Sequence, residues 1–268
     1  VTKYFNILII GKTNVGKSTL INEFLNLSEK ERAKEASGGP TRTIDFTPYK
    51  GKRNNKEYIL YDTNGITVEG NDSVDKKSKT IIEEIKERIE NKDPNNLIHC
   101  VWYCLQGSDI QPGDGNFIKK LLEVYTTYSI PIIFVHTQTY SIRQSNTCKS
   151  GVEKYLQEIY KNDNNKVQEH LNNYINILAR EDLEEKKEAF GLNELEIMTK
   201  KEIKERGLKS AYFELIKKDI YPILINAVFN LVFSDNNLKK LKEDAMENLD
   251  KYLIKIEGIL INDNLGLN

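Results

Sequence analysis

The residues best equipped for chemistry begin at Gly11-Lys12-Thr13-Asn14-Val15-Gly16-Lys17-Ser18, with Thr19 following. The spacing G-x-x-x-x-G-K-[ST] is that of a backbone cradle for phosphate. Gly11 and Gly16 permit backbone angles and a close approach that a Cβ would block. The loop amides then point at phosphate oxygens, and a helix starting there adds its positive N-terminal end. Lys17 brings a full charge to the β- and γ-phosphates of a nucleotide, and the Ser18 hydroxyl is placed to ligate Mg²⁺. Two later segments extend the constellation. Thr41, in Thr41-Arg42-Thr43, offers a hydroxyl that reaches the metal when a γ-phosphate is present. Asp62-Thr63-Asn64-Gly65 puts a carboxylate at the end of an apolar run, where it holds Mg²⁺ through water, and the Gly65 N–H faces the γ-phosphate. Lys17, Thr41 and Gly65 are the candidate catalytic groups; Ser18, Thr41 and Asp62 are the candidate metal ligands.

Such a cradle requires a strand before it and a helix after it. Residues 5–10 are a short apolar run of buried-strand type, and Leu20, Ile21, Phe24 and Leu25 recur at helical spacing. Residues 28–40 are polar, with Gly38-Gly39-Pro40 as punctuation, and read as a loop. Residues 44–49 and 57–61 read as two strands of a hairpin joined through 50–56. A second polar loop is expected over 66–77, then a helix carrying Ile81, Ile82, Ile85 and Ile89. Residues 97–105 form a central strand, 106–115 a loop, 117–125 a helix face, and 131–135 a fully apolar strand of parallel type. A helix over 152–160, a last strand over 174–179 and a charged, helical pattern over 183–218 follow. Alternating strands and helices imply an α/β fold with a mainly parallel central sheet flanked by helices and ligand loops at the carboxyl ends of the strands.

The domain is expected to span 1–217, with a C-terminal helical extension over 218–268 packed on it. Residues 220–233 are apolar on nearly all sides. Leu238, Leu241, Ala245, Leu249, Tyr252, Ile256 and Ile259 then form one stripe. Packing against the domain is the expected role; peripheral membrane contact or partner binding is the alternative.

Composition narrows the function further. The 268 residues carry 39 basic against 40 acidic side chains, a formal charge of −1. That balance gives no electrostatic reason to expect nucleic acid as a partner. No run approaches the ~18 apolar residues of a membrane span, and the N-terminus lacks the layout of a secretory signal. Three cysteines without framework spacing suit a reducing compartment, so a cytoplasmic location is expected. His99, Cys100 and Cys104 raise a metal site, but their segment reads as a buried strand without a second ligand pair.

These boxes, in this order, resemble the TRAFAC-class P-loop GTPases, and more closely the Era, TrmE and septin-like branch with its AIG1 and Toc-type relatives. The likeness covers about residues 4–216. Thr41-Arg42 resembles a T-T-R segment of Era and TrmE relatives, which favours Thr41 over Thr43. Ile177-Leu178-Ala179-Arg180 resembles the last box, so Ala179 and Arg180 would lie against the base. The resemblance implies a G domain that binds GTP and GDP with Mg²⁺ and hydrolyses GTP to GDP and phosphate. It also implies a switch: segments 33–45 and 63–77 would meet an effector or, across the nucleotide face, a second copy of the chain.

Two departures qualify this. The fourth box is normally [NT]-K-x-D; Thr137 matches, but Gln138 replaces Lys and Tyr140 replaces the Asp that accepts two hydrogen bonds from guanine. A site built for those bonds loses on the order of 10²-fold in selectivity without them. Tyr140 could instead stack on the base and Gln138 hydrogen-bond its edge. At the position after Gly65, Ile66 stands where relatives place a Gln that orients the attacking water, so hydrolysis by the chain alone is expected to be slow. Asn14 occupies the position where TrmE-like relatives hold K⁺ against the phosphates, which suggests K⁺- or dimer-stimulated turnover; bracing of the loop is the other reading. A non-hydrolysing nucleotide-bound scaffold is the alternative function, and an ATPase the third.

Overall fold

The computed structural model describes residues 4–33, 46–63, 71–90, 97–107, 112–128, 130–161 and 163–215. The chain divides into two compact units, Val1–Arg206 and Gly207–Asn268.

The first unit is built on six strands: β1 (Tyr4–Gly11), β2 (Phe46–Arg53), β3 (Lys56–Thr63), β4 (Cys100–Leu105), β5 (Ile132–His136) and β6 (Tyr174–Asn176). They lie in the order β2-β3-β1-β4-β5-β6. Only β2 runs antiparallel to its neighbour; β3, β1, β4, β5 and β6 are parallel. The strand order reverses at β1, which pairs with β3 on one side and β4 on the other. Ligand crevices open at such a reversal, outside the carboxyl ends of the strands.

The helices are α1 (Lys17–Leu25), α2 (Asn71–Glu90), α3 (Pro112–Tyr128), α4 (Ile142–Tyr160), α5 (Asn164–Leu171) and α6 (Leu192–Leu215). Side chains alternate between sheet faces, so each central strand feeds two cores. Leu8, Ile10, Val101, Tyr103 and Phe134 pack with Ile81 and Ile85 of α2, Phe117 and Leu121 of α3, Val152 of α4 and Val167 of α5. Ile7, Ile9, Trp102, Ile133 and Val135 pack with Leu20, Ile21 and Phe24 of α1 and Leu195 of α6. Burial on both faces explains why β4 and β5 read as unbroken apolar runs.

Several boundaries differ from the sequence expectation. The hairpin turn is only Asn54-Asn55, both in the left-handed region at φ 44° and 63°. Polar residues 50–53 are therefore strand, alternating between half-buried and exposed at the sheet edge. Helix α2 already starts at Asn71, which shortens the loop expected over 66–77. Helix α3 starts at Pro112, where a missing N–H costs nothing. Helix α4 starts ten residues before the expected 152, because Ser141 caps it by accepting from the Gln144 N–H at 3.1 Å. Helix α5 was not anticipated, and residues 183–191 are not helical. They carry the isolated bridges Leu178↔Phe190 and Asp182↔Lys187 instead. The expected tail helices over 220–259 lie outside the described residues.

A cluster far from the crevice fixes the hairpin to α6. Glu196, only 2 % exposed, accepts from the Tyr58 hydroxyl at 2.9 Å and the Asn54 amide at 2.5 Å. It also pairs with Lys200 at 2.6 Å and Arg53 at 3.3 Å.

Candidate nucleotide-binding site

Strand β1 ends at Gly11, and α1 begins at Lys17, so the glycine loop spans the sheet's reversal point. Gly11 lies opposite Cys104 of β4. A Cβ there would sit 2.5 Å from the Cys104 carbonyl oxygen, so only glycine fits between the strands. Gly16 has φ 82° and precedes α1 without any side-chain cap. The first amides of α1 are therefore left for a ligand.

Lys17 is 6 % exposed. Its ammonium donates to the Gly11 carbonyl at 3.2 Å and the Lys12 carbonyl at 2.8 Å, folded onto its own loop. Burial lowers its pKa, and the nearby Asp62 carboxylate works against that shift. Asp62, on β3, accepts from the Ser18 hydroxyl at 3.4 Å through Oδ2. Its other oxygen, Oδ1, is buried without a hydrogen-bond partner. Burial raises the carboxyl to about 6, opposed by Lys17 and Ser18. A carboxylate oxygen without a partner beside a hydroxyl is a donor set suited to a hard, oxygen-seeking cation such as Mg²⁺. Asn14 is exposed and left-handed at φ 66°. Asn tolerates that conformation better than most residues, which by itself accounts for its presence.

The loop after β5 braces the cradle. The buried Thr137 hydroxyl lies within hydrogen-bond reach of the carbonyls of Val15 and, at 2.9 Å, of Leu105, and gives its one proton to either. Gln138, at φ 51°, lies against Gly16, and its side-chain oxygen accepts from Gln106. His136 anchors the loop from below, its ring contacting the Gly107 carbonyl at 3.0 Å and the Asn176 amide oxygen at 3.1 Å. Burial lowers its pKa.

Beyond this brace lies a pocket of about 200 Å³, bounded by Gly16, Thr19, Thr137 and Gln138 on one side and by Tyr140, Ala179 and Arg180 on the other. It is smaller than the roughly 300–1,000 Å³ cavities that enclose whole drug-sized ligands, which suits it to one part of a nucleotide. The Tyr140 N–H donates to the Gln144 side chain at 3.1 Å, and its carbonyl accepts from Lys187. Burial and then Asp182 raise the Tyr140 pKa. Arg180 is drawn toward α1, its Nε donating to Glu23 at 3.0 Å.

The fold thus gathers Gly11 to Thr19, Asp62, Thr137, Gln138, Tyr140, Ala179 and Arg180 at one end of the sheet. Thr41 and Gly65 lie outside the described residues. Cys100 and Cys104 are buried, free thiols inside β4, and His99 accepts the Asn6 N–H at 2.9 Å. Sequence reasoning did not single out Gln106, Glu181 or Asp182. The S-x-x-Q pattern at Ser141 to Gln144 is the signal that would have placed α4, and with it Tyr140. Asp182 is brought in by the Asp182↔Lys187 bridge, a pairing no short-range pattern announces.

Residues 6–138 match the model of a family described as 50S ribosome-binding GTPase. The chain is 37 % identical over 107 residues to the GTPase Der of Buchnera aphidicola subsp. Baizongia pistaciae, covering 40 % of this chain and 21 % of that protein. It is 26 % identical over 165 residues to mitochondrial Rho GTPase 1 of Saccharomyces cerevisiae, covering 60 % of this chain and 21 % of that one. It spans about a fifth of the length of these relatives. A crystal structure of Toc33 from Arabidopsis thaliana in complex with Mg²⁺ and GMPPNP aligns with 76 % of this chain and 87 % of its own, at 11 % identity and a TM-score of 0.48.

Proposed function

We propose that the chain, which has the G-domain fold of P-loop GTPases, is a guanine-nucleotide-binding switch with slow intrinsic GTP hydrolysis. The observation that carries this reading is the juxtaposition of Lys17, Ser18 and the unpartnered Asp62 oxygen beneath the loop of residues 11–19. Lys17 exchanges its two carbonyl partners for phosphate oxygens. The Ser18 hydroxyl and Asp62 hold the Mg²⁺ side, Asp62 as the ionised carboxylate. The Mg²⁺ would neutralise charge between the β- and γ-phosphates. Thr41 and Gly65 complete the site from sequence segments 33–45 and 63–77, which then report the γ-phosphate to an effector or a second copy.

Thr137 holds the cradle in register with the base pocket, where Tyr140 and Ala179 meet the base. Ile66 has no group to orient water, which supports slow turnover by the chain alone and also favours the second reading, a non-hydrolysing nucleotide-bound scaffold. Asn14 is the group through which K⁺ would act.

Single-turnover phosphate release from GTP separates the readings. The switch predicts slow, Mg²⁺-dependent release; none over hours, with GTP still bound, supports the scaffold. Equal rates in K⁺ and Na⁺ at low and high protein concentration would remove the K⁺ and dimer proposals.

A further inference from the structure

The fourth box offers no carboxylate, yet the pocket beyond it contains two, Glu181 and Asp182. Resting on the guanine-nucleotide reading above, we propose that Glu181 supplies the carboxylate that reads guanine, accepting from its N1–H and 2-amino groups.

Several other polar groups of the pocket are already engaged. Asp182 Oδ1 accepts the N–H groups of Glu184 and Glu185, each at 3.0 Å, and its charge faces the Tyr140 hydroxyl. Its backbone is tied to Lys187 by N–H···O bonds of 2.8 and 2.9 Å. Asp182 is therefore a positioning residue that fixes Tyr140 at the pocket wall. Arg180 is turned toward Glu23. With its oxygen taken by Gln106, Gln138 presents an amide nitrogen, a donor suited to the guanine 6-oxygen and not to the N1–H edge. Glu181 makes no hydrogen bond or ion pair with the described residues.

Glu181 is also held at the right place. The strand-like pairing of Leu178 with Phe190 fixes the chain just before it, and the Asp182↔Lys187 bridge fixes the chain just after. A carboxylate accepting two donors forms charge-assisted bonds to guanine. Adenine turns a lone pair at N1 toward the same carboxylate, so it is rejected by an unpaired, repelled edge.

The test is calorimetric titration of the full chain and its Glu181→Gln and Asp182→Asn variants with GDP, ADP and xanthosine diphosphate, all with Mg²⁺. Glu181 is exposed, so Glu181→Gln should keep the fold, checked by its thermal midpoint. The wild type should prefer GDP over ADP. Glu181→Gln should lose GDP affinity by about 10- to 100-fold. It should also gain xanthosine diphosphate, because a glutamine amide accepts from N1–H while donating to the 2-oxo group. An unchanged GDP affinity in Glu181→Gln, with wild-type preference for GDP intact, overturns this assignment and leaves the guanine reading standing. A preference that shifts in Asp182→Asn but not in Glu181→Gln overturns it too. Equal binding of GDP and ADP by the wild type overturns both.

Discussion

At the proposed phosphate end of the site, each residue type has one geometric reason. Gly11 sits where a Cβ would strike the Cys104 carbonyl, Lys17 reaches back over its own loop, and Asp62 keeps a free oxygen beside Ser18. At the base end, the same sheet delivers different residue types and a different arrangement. Gln138 pairs with Gln106, and Tyr140 is held through its backbone by Gln144 and Lys187. The contrast follows from what each end must recognise. Phosphate is met by backbone amides, which depend on glycine positions and the start of a helix and so leave a fixed pattern in the sequence. A base edge is met by side chains, and several loops can bring a donor or acceptor to the same point.

The contrast can be tested first by disturbing what both ends share. Glu196→Ala removes the acceptor of Tyr58 and Asn54 and the ion-pair partner of the half-buried Arg53, and leaves the buried Tyr58 hydroxyl without its partner. Stability should fall by roughly 2–4 kcal/mol, read from the urea midpoint, while the GDP-to-ADP preference of the folded fraction stays the same. A change in preference would mean that the scaffold and the base end are not separable.

Lys17→Ala acts on the phosphate end alone. It should cost roughly 10²-fold in GDP affinity, as a charge-assisted contact does, and should weaken ADP by a similar factor. Unequal losses would show that Lys17 also discriminates between bases.

A pH titration of the wild type against a His170 variant isolates the framework, because Asp62 at the phosphate end, raised to about 6 by burial, titrates in the same window with the opposite sign in both proteins. Burial holds His170 at about 4, below the ordinary 6.5. A depressed histidine contributes stability above its unfolded pKa and loses it as pH falls through the folded value. His170 should therefore contribute a decline of roughly 2–3 kcal/mol in the unfolding free energy between about pH 6.5 and 4, seen as the difference between the wild type and the variant. His99, also lowered to about 4 by burial, adds in the same direction. His170→Phe should flatten that slope; an unchanged slope would place the proton uptake elsewhere.

The smallest effect is expected at Tyr140→Phe. Losing the hydroxyl that faces Asp182 removes a polar group of the pocket wall and not the reader itself, so GDP affinity should drop by only about 3- to 10-fold. A larger loss would move the base-reading role from Glu181 toward Tyr140.

Much of this architecture is readable in the chain because burial on two faces leaves continuous apolar runs. Residues 5–10, 97–105 and 131–135 were visible for that reason, and the glycine spacing located the cradle between the first of them and α1. Edge strand β2 was harder. Its polar residues face solvent alternately, and periodicity read Lys50 to Arg53 as a turn where the chain continues to pair. The start of α4 was missed because residues 142–151 are mostly polar, so only the Ser141 cap marks the boundary. The wall formed by Glu181 and Asp182 was not legible. It depends on a bridge closing a turn that charge composition alone reads as helix. The candidate groups Thr41 and Gly65 stand on their sequence context.

The most direct measurement is calorimetry of the full chain with GDP and ADP side by side in Mg²⁺ and K⁺. A clear preference for GDP, by about 10²-fold, is predicted for a site that still reads guanine without the fourth-box aspartate. Equal affinity for the two, or no binding of either, would contradict the proposal that this cradle serves a guanine nucleotide.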